Sequence, residues 1–269
     1  MLFRTLWGFL RRDAHIHTSY KLGFAIELLS VFMSSSTFYF VAKLFGAASM
    51  PILRNYGGDY FSFVLIGIAF SSYQSVGLNS FAQSLRQEQY LNTLEPIFLT
   101  PVTVPQFLIG SGLWDFLYAT LEVGLYLLLG GLVFGLRLPA ARPVEAVVVL
   151  LLTIAAFMGL GVIAAAFIMR YKRGNPITWL VTSASELLGG VYFPLTVLPG
   201  WMQKVAKFVP MSHALSGLRK SLLSGAGWRD ILPELTALSL FIVILWPIGF
   251  LAFRLALKSA RDEGSLGHY

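Results

Sequence analysis

The chain has 269 residues, of which 56% are hydrophobic and only 12% are charged, about half the charged share of a soluble domain. This composition excludes a soluble enzyme, an intrinsically disordered chain and a secreted disulfide scaffold, and the lack of cysteine excludes thiol chemistry. In so apolar a chain, the formal net charge of +7 indicates cytoplasmic loops and contacts with anionic lipid headgroups rather than nucleic-acid binding.

Residues 1–20 are predicted to form an amphipathic helix that lies on the membrane surface, because apolar side chains share one helical face opposite three arginines. The apolar residues are Leu2, Phe3, Leu6, Trp7 and Leu10, and the basic ones are Arg4, Arg11 and Arg12. A signal peptide is the competing interpretation. It is disfavoured because Arg4 interrupts the apolar run and no small-residue cleavage site precedes the next hydrophobic run.

Six transmembrane helices are predicted, which makes the chain an all-α integral membrane protein with one domain, residues 1–269. Four charge-free runs approach the roughly 20 residues that a span requires. They are residues 28–42, 61–85, 146–169 and 235–253. Two further spans contain acidic residues: residues 104–136 include Asp115 and Glu122, and residues 177–198 include Glu186.

The distribution of lysine and arginine predicts the orientation of the chain. An even number of spans places both termini on one side, and with the N-terminus inside, 11 of the 20 basic residues are cytoplasmic. Five of the other nine fall in one unusual segment, residues 196–232. Without that segment, 11 basic residues lie on the cytoplasmic side and 4 on the other side. We therefore expect both termini in the cytoplasm.

Residues 196–232, between the fifth and sixth spans, are predicted to form a re-entrant helix pair on the extracytoplasmic side. Prolines and glycines break the segment too often for one span, yet it is too apolar for a hydrated loop. Two short helices that dip into the outer leaflet, residues 200–209 and 212–223 with a hinge at Pro210, fit this pattern. A loop lying flat on the headgroups is the alternative, because amphipathicity alone does not separate the two.

Acidic residues inside spans are the strongest individual signals, because a charge at mid-span costs about 2.5 to 3.5 kcal/mol unless it is paired or hydrated. The third span carries a polar stripe on one helical face. The stripe consists of Ser111, Asp115, Tyr118, Glu122 and Tyr126, and the second span adds Gln74 and Asn79. These residues either line a translocation path or hold helices together. Glu186 has the same two interpretations, with Gly189 and Gly190 favouring close packing.

Residues 82–104 are predicted to be a cytoplasmic segment with a short helix that Pro96 and Pro101 stop. Its polar residues Arg86 to Gln89 are followed by an apolar edge of Tyr90, Leu91 and Leu94. A short, half-apolar cytoplasmic helix is typical of one that docks in a groove on another protein.

Motifs for nucleotide or metal chemistry are missing from the sequence. No glycine-rich phosphate loop precedes a Lys-Ser or Lys-Thr pair, so we expect no ATP site in this chain. His15 and His17 do not share a helical face, so we expect no metal site either.

Two motifs resemble the membrane subunits of ABC type-2 exporters. Glu88, Thr93-Leu94-Glu95 and Thr100-Pro101 are similar to that family's coupling motif, although Asn92 stands where glycine is usual. Residues 189–201, with Pro210 and Leu218-Arg219 after them, are similar to its other hallmark. The resemblance implies partner-coupling residues Glu88, Tyr90, Leu91, Thr93, Leu94 and Glu95. It also implies an extracytoplasmic gate of Tyr192, Phe193, Pro194, Pro199, Trp201 and Pro210.

The resemblance also implies an assembly and a function. Two copies of this chain would work with two ABC ATPase subunits in a bacterial-type inner membrane, with ATP and Mg on the ATPase and no cofactor or enzymatic activity on this chain. Substrates in the family are amphipathic: lipids, glycolipids, lipid-linked polysaccharides and hydrophobic drugs. The first alternative is an ion-coupled secondary transporter that uses Asp115 and Glu122. A lipid-modifying enzyme ranks third, because no cluster of His, Asp or Arg marks one interface.

Overall fold

The computed structural model describes residues 2–18, 21–45, 53, 59–91, 93–101, 103–136, 138, 141–171 and 176–262. In this part of the chain every regular element is helical, which confirms the all-α prediction. In chain order the elements are α1 (Leu2–Thr18), α2 (Lys21–Phe45), α3 (Tyr60–Tyr90), α4 (Leu94–Leu99), α5 (Val104–Leu132), α6 (Pro143–Tyr171), α7 (Pro176–Leu188), a 3₁₀ turn (Leu195–Val197), α8 (Gly200–Ala206), α9 (Pro210–Leu223) and α10 (Trp228–Asp262).

Five of the helices in the described ranges are long and apolar enough to cross a membrane. The candidate spans are Leu22–Leu44, Tyr60–Glu88, Ile109–Leu132, Pro143–Tyr171 and Trp228–Ser259. Each coincides with one of the predicted spans, because a long apolar run is a local signal that tertiary contacts do not alter.

The predicted fifth span, residues 177–198, is not one continuous helix. Its helix, α7, has 13 residues and ends at Leu188, a length of about 20 Å against a hydrocarbon core of about 30 Å. The helix stops because Gly190 adopts a left-handed backbone with φ of 73°, a conformation that glycine tolerates without steric cost and that commonly ends helices. The apolar residues beyond it continue the hydrophobic pattern, which is why the sequence alone predicts a longer helix.

Helix α3 forms the centre of the bundle. In its most apolar window 72% of residues are buried, against 11% for the corresponding windows of α2 and α10. It packs against α5, α6 and α9, and Phe63, Tyr73 and Phe81 are among its fully buried side chains. Buried polar side chains of α3, among them Ser62, Gln74 and Ser80, therefore face other helices. By contrast, α2 and α10 present mostly apolar side chains outward, where lipid would surround them.

Glycines set the closest approaches between helices. A Cβ atom on Gly161 of α6 would lie 1.9 Å from the carbonyl oxygen of Gly77 on α3. On the other side of α6, a Cβ atom on Gly249 of α10 would lie 3.1 Å from the carbonyl oxygen of Gly159. Small residues at such crossings let backbones pack directly in a membrane bundle.

The short helices between α7 and α10 form the predicted pair, with somewhat different bounds. α8 ends at Ala206, three residues before the predicted end, and α9 begins at Pro210, where proline needs no helical N–H partner. One side of α9 is buried against α3, α6 and α10. α8 exposes Trp201 and Val205, and Phe208 is exposed just after it. The depth of this pair in the bilayer stays a prediction.

The N-terminal helix is present as α1 and packs along the beginning of α5. The rings of Phe9 and Phe107 meet edge to face with centroids 6.2 Å apart. A Cβ atom on Gly110 would lie 2.7 Å from the Phe9 ring, so glycine at this position admits the ring. The location of α1 on the membrane surface stays a prediction.

Candidate functional site

The predicted coupling segment is the end of a long helix followed by a short one. α3 continues from the bundle to Tyr90 without interruption, so the helix ends before either predicted proline stop. Pro96 instead lies in the first turn of α4, where a missing N–H costs no hydrogen bond. The helix end is closed by the Thr93 N–H, which donates to the Glu88 carbonyl oxygen at 2.9 Å. A displacement at this end would therefore act directly on the central helix of the bundle.

Glu88 is buried at this end of the molecule, with 5% of its surface exposed. Arg12 of α1 donates from Nη1 to Glu88 Oε1 at 2.7 Å, and the Thr93 hydroxyl donates to the other carboxylate oxygen. Glu88 thus holds α1, the end of α3 and the loop before α4 in one position. Charge-assisted hydrogen bonds of this kind are stronger than neutral ones.

Arg12 also binds its neighbour Asp13, donating from Nε to Oδ1 at 2.7 Å. Burial lowers the pKa of Arg12, but the hydrogen bond with Asp13 and the charges of Asp13 and Glu88 outweigh burial, and the net pKa is raised. The guanidinium therefore stays charged in its contact with Glu88.

The apolar edge beside Glu88 is exposed. Tyr90 and Leu91 are 65% and 61% exposed, while Thr93 is partly buried at Glu88. The side chains of Leu94 and Glu95 and the whole of Asn92 lie outside the described residues. The structure therefore separates the predicted coupling residues into an inner pair, Glu88 and Thr93, and an outer apolar surface.

The polar stripe on α5 meets polar residues from α2 and α3. The Tyr118 hydroxyl donates to the carboxylate of Glu27 on α2. Glu122 lies within hydrogen-bond reach of Ser72 on α3 and within electrostatic range of Glu27. Tyr126 is buried beside Ser34 of α2. The carboxylates of Glu27 and Glu122, both partly buried, thus lie within electrostatic range of each other.

Other members of the predicted stripe are placed differently. Ser111 is buried and Asp115 is partly buried on the earlier turns of α5. Gln74 is buried, and its Oε1 has no hydrogen-bond partner among the described residues, whereas Asn79 donates to the Ser75 carbonyl of its own helix at 3.0 Å. Glu27 was not among the predicted path residues, although it begins a milder polar stripe on the first span with Ser30, Ser34 and Thr37.

Arg219 is buried at the other end of the bundle, with 3% exposed surface. It donates from Nε to the Phe63 carbonyl at 3.1 Å, from Nη1 to the Gly190 carbonyl at 2.6 Å and from Nη2 to the Val191 carbonyl at 2.9 Å. It therefore joins α9 to α3 and to the backbone beyond α7. Sequence analysis placed Arg219 only within a family motif. A basic residue amid the apolar residues of α9 was the available signal.

The predicted gate residues differ in their surroundings. Tyr192 stacks on Phe38 of α2 with ring centroids 5.7 Å apart. Pro194 and Pro210 are buried, whereas Pro199 and Trp201 are exposed and Phe193 is partly buried. The inner members pack on the bundle next to the carbonyls that Arg219 holds, and Trp201 points away from it with the exposed face of α8.

No three His, Asp or Glu side chains in the described ranges form a group that could hold a metal ion. The polar groups around Glu88, Glu122 and Arg219 are instead carboxylates, hydroxyls and guanidinium groups that join helices. Such an arrangement can transmit movement or contact a polar headgroup.

Comparison with known proteins identifies the family. Residues 10–223 match the model of the ABC-2 type transporter family, a stretch that runs from α1 to the end of α9. The chain belongs to the ABC-2 type transporter family. Members are membrane permease subunits of ABC transporters that work with an ATPase on a separate subunit, so the resemblance inferred from the two motifs is confirmed.

Curated relatives of this ABC-2 permease are distant in sequence. Over 158 residues it is 28% identical to the linearmycin resistance permease protein LnrN of Bacillus subtilis (strain 168), a match that covers 58% of this chain but 40% of that protein. Over 211 residues it is 26% identical to nodulation protein J of Rhizobium leguminosarum bv. viciae, covering 76% of this chain and 79% of the relative. Nodulation protein J of Rhizobium meliloti (strain 1021) is 27% identical over 187 residues, and the match covers 67% of this chain and 70% of the relative.

Proposed function

We propose that this ABC-2 permease is the membrane subunit of an ATP-driven exporter that moves an amphipathic substrate out of the cytoplasm or the inner leaflet. The observation that carries the proposal is the family match from α1 to α9. The geometry at the end of α3 supports it, because an exposed apolar edge sits on a helix that continues into the bundle centre.

The partner in this proposal is an ABC ATPase that binds ATP and Mg. Tyr90 and Leu91 would fill an apolar groove on the ATPase, which is the ordinary way in which an amphipathic helix is recognised. Glu88 is already bound to Arg12 and Thr93, so its role is to hold the edge in place rather than to contact the ATPase. ATP-driven movement of the partner would then pass through α3 and, through Arg12, into α1.

The assembly contains two copies of the permease in this proposal, in a bacterial-type inner membrane with both termini in the cytoplasm. The fifth predicted span would consist of α7 and the residues beyond it, and it would pair with a second copy rather than cross the membrane alone. The exposed apolar side chains of Trp179, Leu180 and Leu187 on α7 support a surface that lipid or a second copy covers.

The proposed substrate class is amphipathic: a lipid, a glycolipid, a lipid-linked polysaccharide or a hydrophobic drug. The names of the relatives refer to resistance to linearmycin and to nodulation. In this chain, the polar group around Glu27 and Glu122 between otherwise apolar helices supports a path that accepts a polar headgroup beside apolar chains.

An ion-coupled secondary transporter is the second candidate, and the proximity of Glu27 to Glu122 is the observation that favours it. Intramembrane carboxylate pairs of this kind occur in proton and ion relays. This candidate needs no ATPase and gives no role to the exposed edge at Tyr90.

The deciding experiment is purification of tagged permease from its native membranes, with mass spectrometry of the proteins that remain bound. We expect an ABC ATPase subunit to co-purify, and Tyr90→Ala or Leu91→Ala to weaken its retention. A large apolar side chain contributes on the order of 1 to 3 kcal/mol when buried. Leu240→Ala, which removes an exposed apolar side chain from α10, is the matched control. Transport at full rate in vesicles that lack the ATPase, driven by an ion gradient, would replace the exporter by the second candidate.

A further inference from the structure

A lateral groove opens between α6 and α10 near the end of the bundle that carries Arg170 and Ser259. Its volume is about 320 Å³. Its lining includes Ala166, Phe167, Arg170, Ala252, Leu255 and Ser259. Farther along, the two helices approach each other closely, and a Cβ atom on Gly249 would lie 3.1 Å from the Gly159 carbonyl oxygen.

The groove has a buried base of small side chains and taller, exposed sides. Ala166 and Ala256 are buried, whereas Tyr171 and Leu255 are largely exposed. On one side the rings of Phe167 and Tyr171 stand together with centroids 4.5 Å apart. Small residues between large ones leave a channel along the helices. In a bilayer, hydrocarbon is what fills the apolar part of such a channel, because the alanine, leucine and phenylalanine side chains there cannot hydrogen-bond water.

The end of the groove is polar and basic. Arg170 and Tyr171 lie at the end of α6, and Ser259 lies at the same end of α10. Arg254 and Lys258 are exposed on α10 beside it, and the exposed acid Asp262 follows Ser259 by three residues. On α6 and α10, three cations and one described acid thus lie beside the groove, and this balance favours an anionic ligand. Tyrosine and arginine at the end of a span are typical of the headgroup region.

We infer that this groove binds one anionic phospholipid of the bilayer. An acyl chain lies along Phe167 and Leu255 over the alanine base, and the lipid phosphate accepts hydrogen bonds from Arg170, Tyr171 and Ser259. The inference requires only that α6 and α10 cross the membrane. It is therefore independent of the exported substrate and of the ATPase.

Native mass spectrometry of detergent-purified permease tests the inference, with phosphatidylglycerol and phosphatidylcholine of matched acyl chains as probes. We expect one phosphatidylglycerol per chain to be retained more tightly than phosphatidylcholine. Arg170→Gln should reduce that preference by about fivefold, in line with one basic residue near an anionic headgroup. Ala256→Trp should fill the groove and remove the retained lipid of both kinds.

Two controls keep the test specific. Leu240→Trp adds the same side chain at an exposed position of α10 outside the groove and should retain lipid as the unmodified chain does. Size-exclusion profiles and thermal unfolding identify any variant that misfolds. If Ala256→Trp misfolds, Ala252→Leu replaces it, because it fills part of the groove with a smaller side chain. Equal retention of the two lipids by the unmodified chain, or undiminished retention in Ala256→Trp or Ala252→Leu, would mean annular lipid only and overturn the inference.

Discussion

The guanidinium of Arg219 lies 3.4 Å from the centroid of the Phe63 ring and donates to the carbonyl oxygen of the same residue at 3.1 Å. One residue of α3 thus supplies both a ring face and a carbonyl to one buried cation. A cation over an aromatic face gains about 2 kcal/mol or more when desolvated. This contact holds α9 against the central helix at the end of the bundle opposite Glu88.

Removing the Arg219 side chain should destabilise the permease. Arg219→Ala takes the donor away from the Gly190 and Val191 carbonyls, and each buried group left unsatisfied costs about 1 to 3 kcal/mol. Arg219→Lys keeps the charge but lacks the planar guanidinium group with its several N–H donors, so it should lose less stability than Arg219→Ala. Thermal unfolding in detergent measures both. Arg229→Ala, at an exposed position on α10, is the control, and an equal unfolding temperature for Arg229→Ala and Arg219→Ala would contradict the role of Arg219.

A methyl group on Gly67 should disturb the same junction from α3. Its Cβ atom would lie 2.3 Å from the Val191 carbonyl oxygen and 2.6 Å from Arg219 Nη2, so the backbone beyond α7 has to move. Gly67→Ala should therefore lower the unfolding temperature, whereas Gly124→Ala on α5, where no atom lies within 4 Å, should leave it unchanged or raise it. Because the two changes act on one contact, Gly67→Ala should lower the unfolding temperature less in the Arg219→Ala variant than in the unmodified chain. Strict additivity of the two effects would separate Gly67 from Arg219.

The features that could be predicted from the sequence are local in the chain. The five long spans follow from apolar runs, and the break between α8 and α9 follows from Pro210, although α9 begins two residues before the predicted start. The features that were missed are contacts between distant residues. Arg12 and Glu88 are 76 positions apart, and Arg219 and Phe63 are 156 apart. No spacing rule relates such pairs, because only packing of the helices brings them together.

The prediction of where α7 ends failed for a different reason. Gly189 and Gly190 were interpreted as small residues for helix packing, a role that is also physically reasonable. Gly190 instead uses its freedom to adopt a positive φ, and the carbonyls it presents are bound by Arg219. Glycine serves both purposes equally well, so the residue alone does not say which one applies.

The ion pair between Arg12 and Glu88 should control coupling more than stability. Because the Arg12 side chain is 42% exposed, the pair itself is expected to contribute at most about 1 kcal/mol. Arg12→Gln should leave the fold and ATPase binding intact and lower export per ATP hydrolysed, since α1 is no longer held to α3. Arg11→Gln, a neighbouring exposed arginine on α1, is the control in the same vesicle assay.

Charge reversal provides a stricter test of this pair. Glu88→Lys places a second cation beside Arg12 in a buried position and should uncouple hydrolysis from export more severely than Arg12→Gln. Arg12→Glu combined with Glu88→Lys restores opposite charges and should recover part of the coupled export. If the double variant is no better than Glu88→Lys, and Arg12→Gln exports normally, the pair has no part in coupling.

The carboxylate of Glu122 should matter for export rather than for folding. An interhelical hydrogen bond in a membrane protein contributes about 0.6 kcal/mol on average and at most about 1.7 kcal/mol, too little for its loss to unfold the bundle. Glu122→Gln keeps the shape and hydrogen-bonding capacity of the side chain while removing its charge. We therefore expect unchanged assembly and ATP binding, with reduced export and reduced stimulation of ATP hydrolysis by substrate.

Tyr73→Phe is the structural counterpart of this change. It deletes the hydrogen bond from the Tyr73 hydroxyl to Thr120 at 2.9 Å, which joins the same two helices, and it leaves both carboxylates in place. If Glu122 only holds helices together, Glu122→Gln and Tyr73→Phe should lower the unfolding temperature to a similar degree. They should also reduce export to a similar degree. If Glu122 contacts the substrate headgroup, export should fall in Glu122→Gln and persist in Tyr73→Phe. Normal export by Glu122→Gln and by Glu27→Gln would remove the polar group from the path, because neither charge would then be needed for transport.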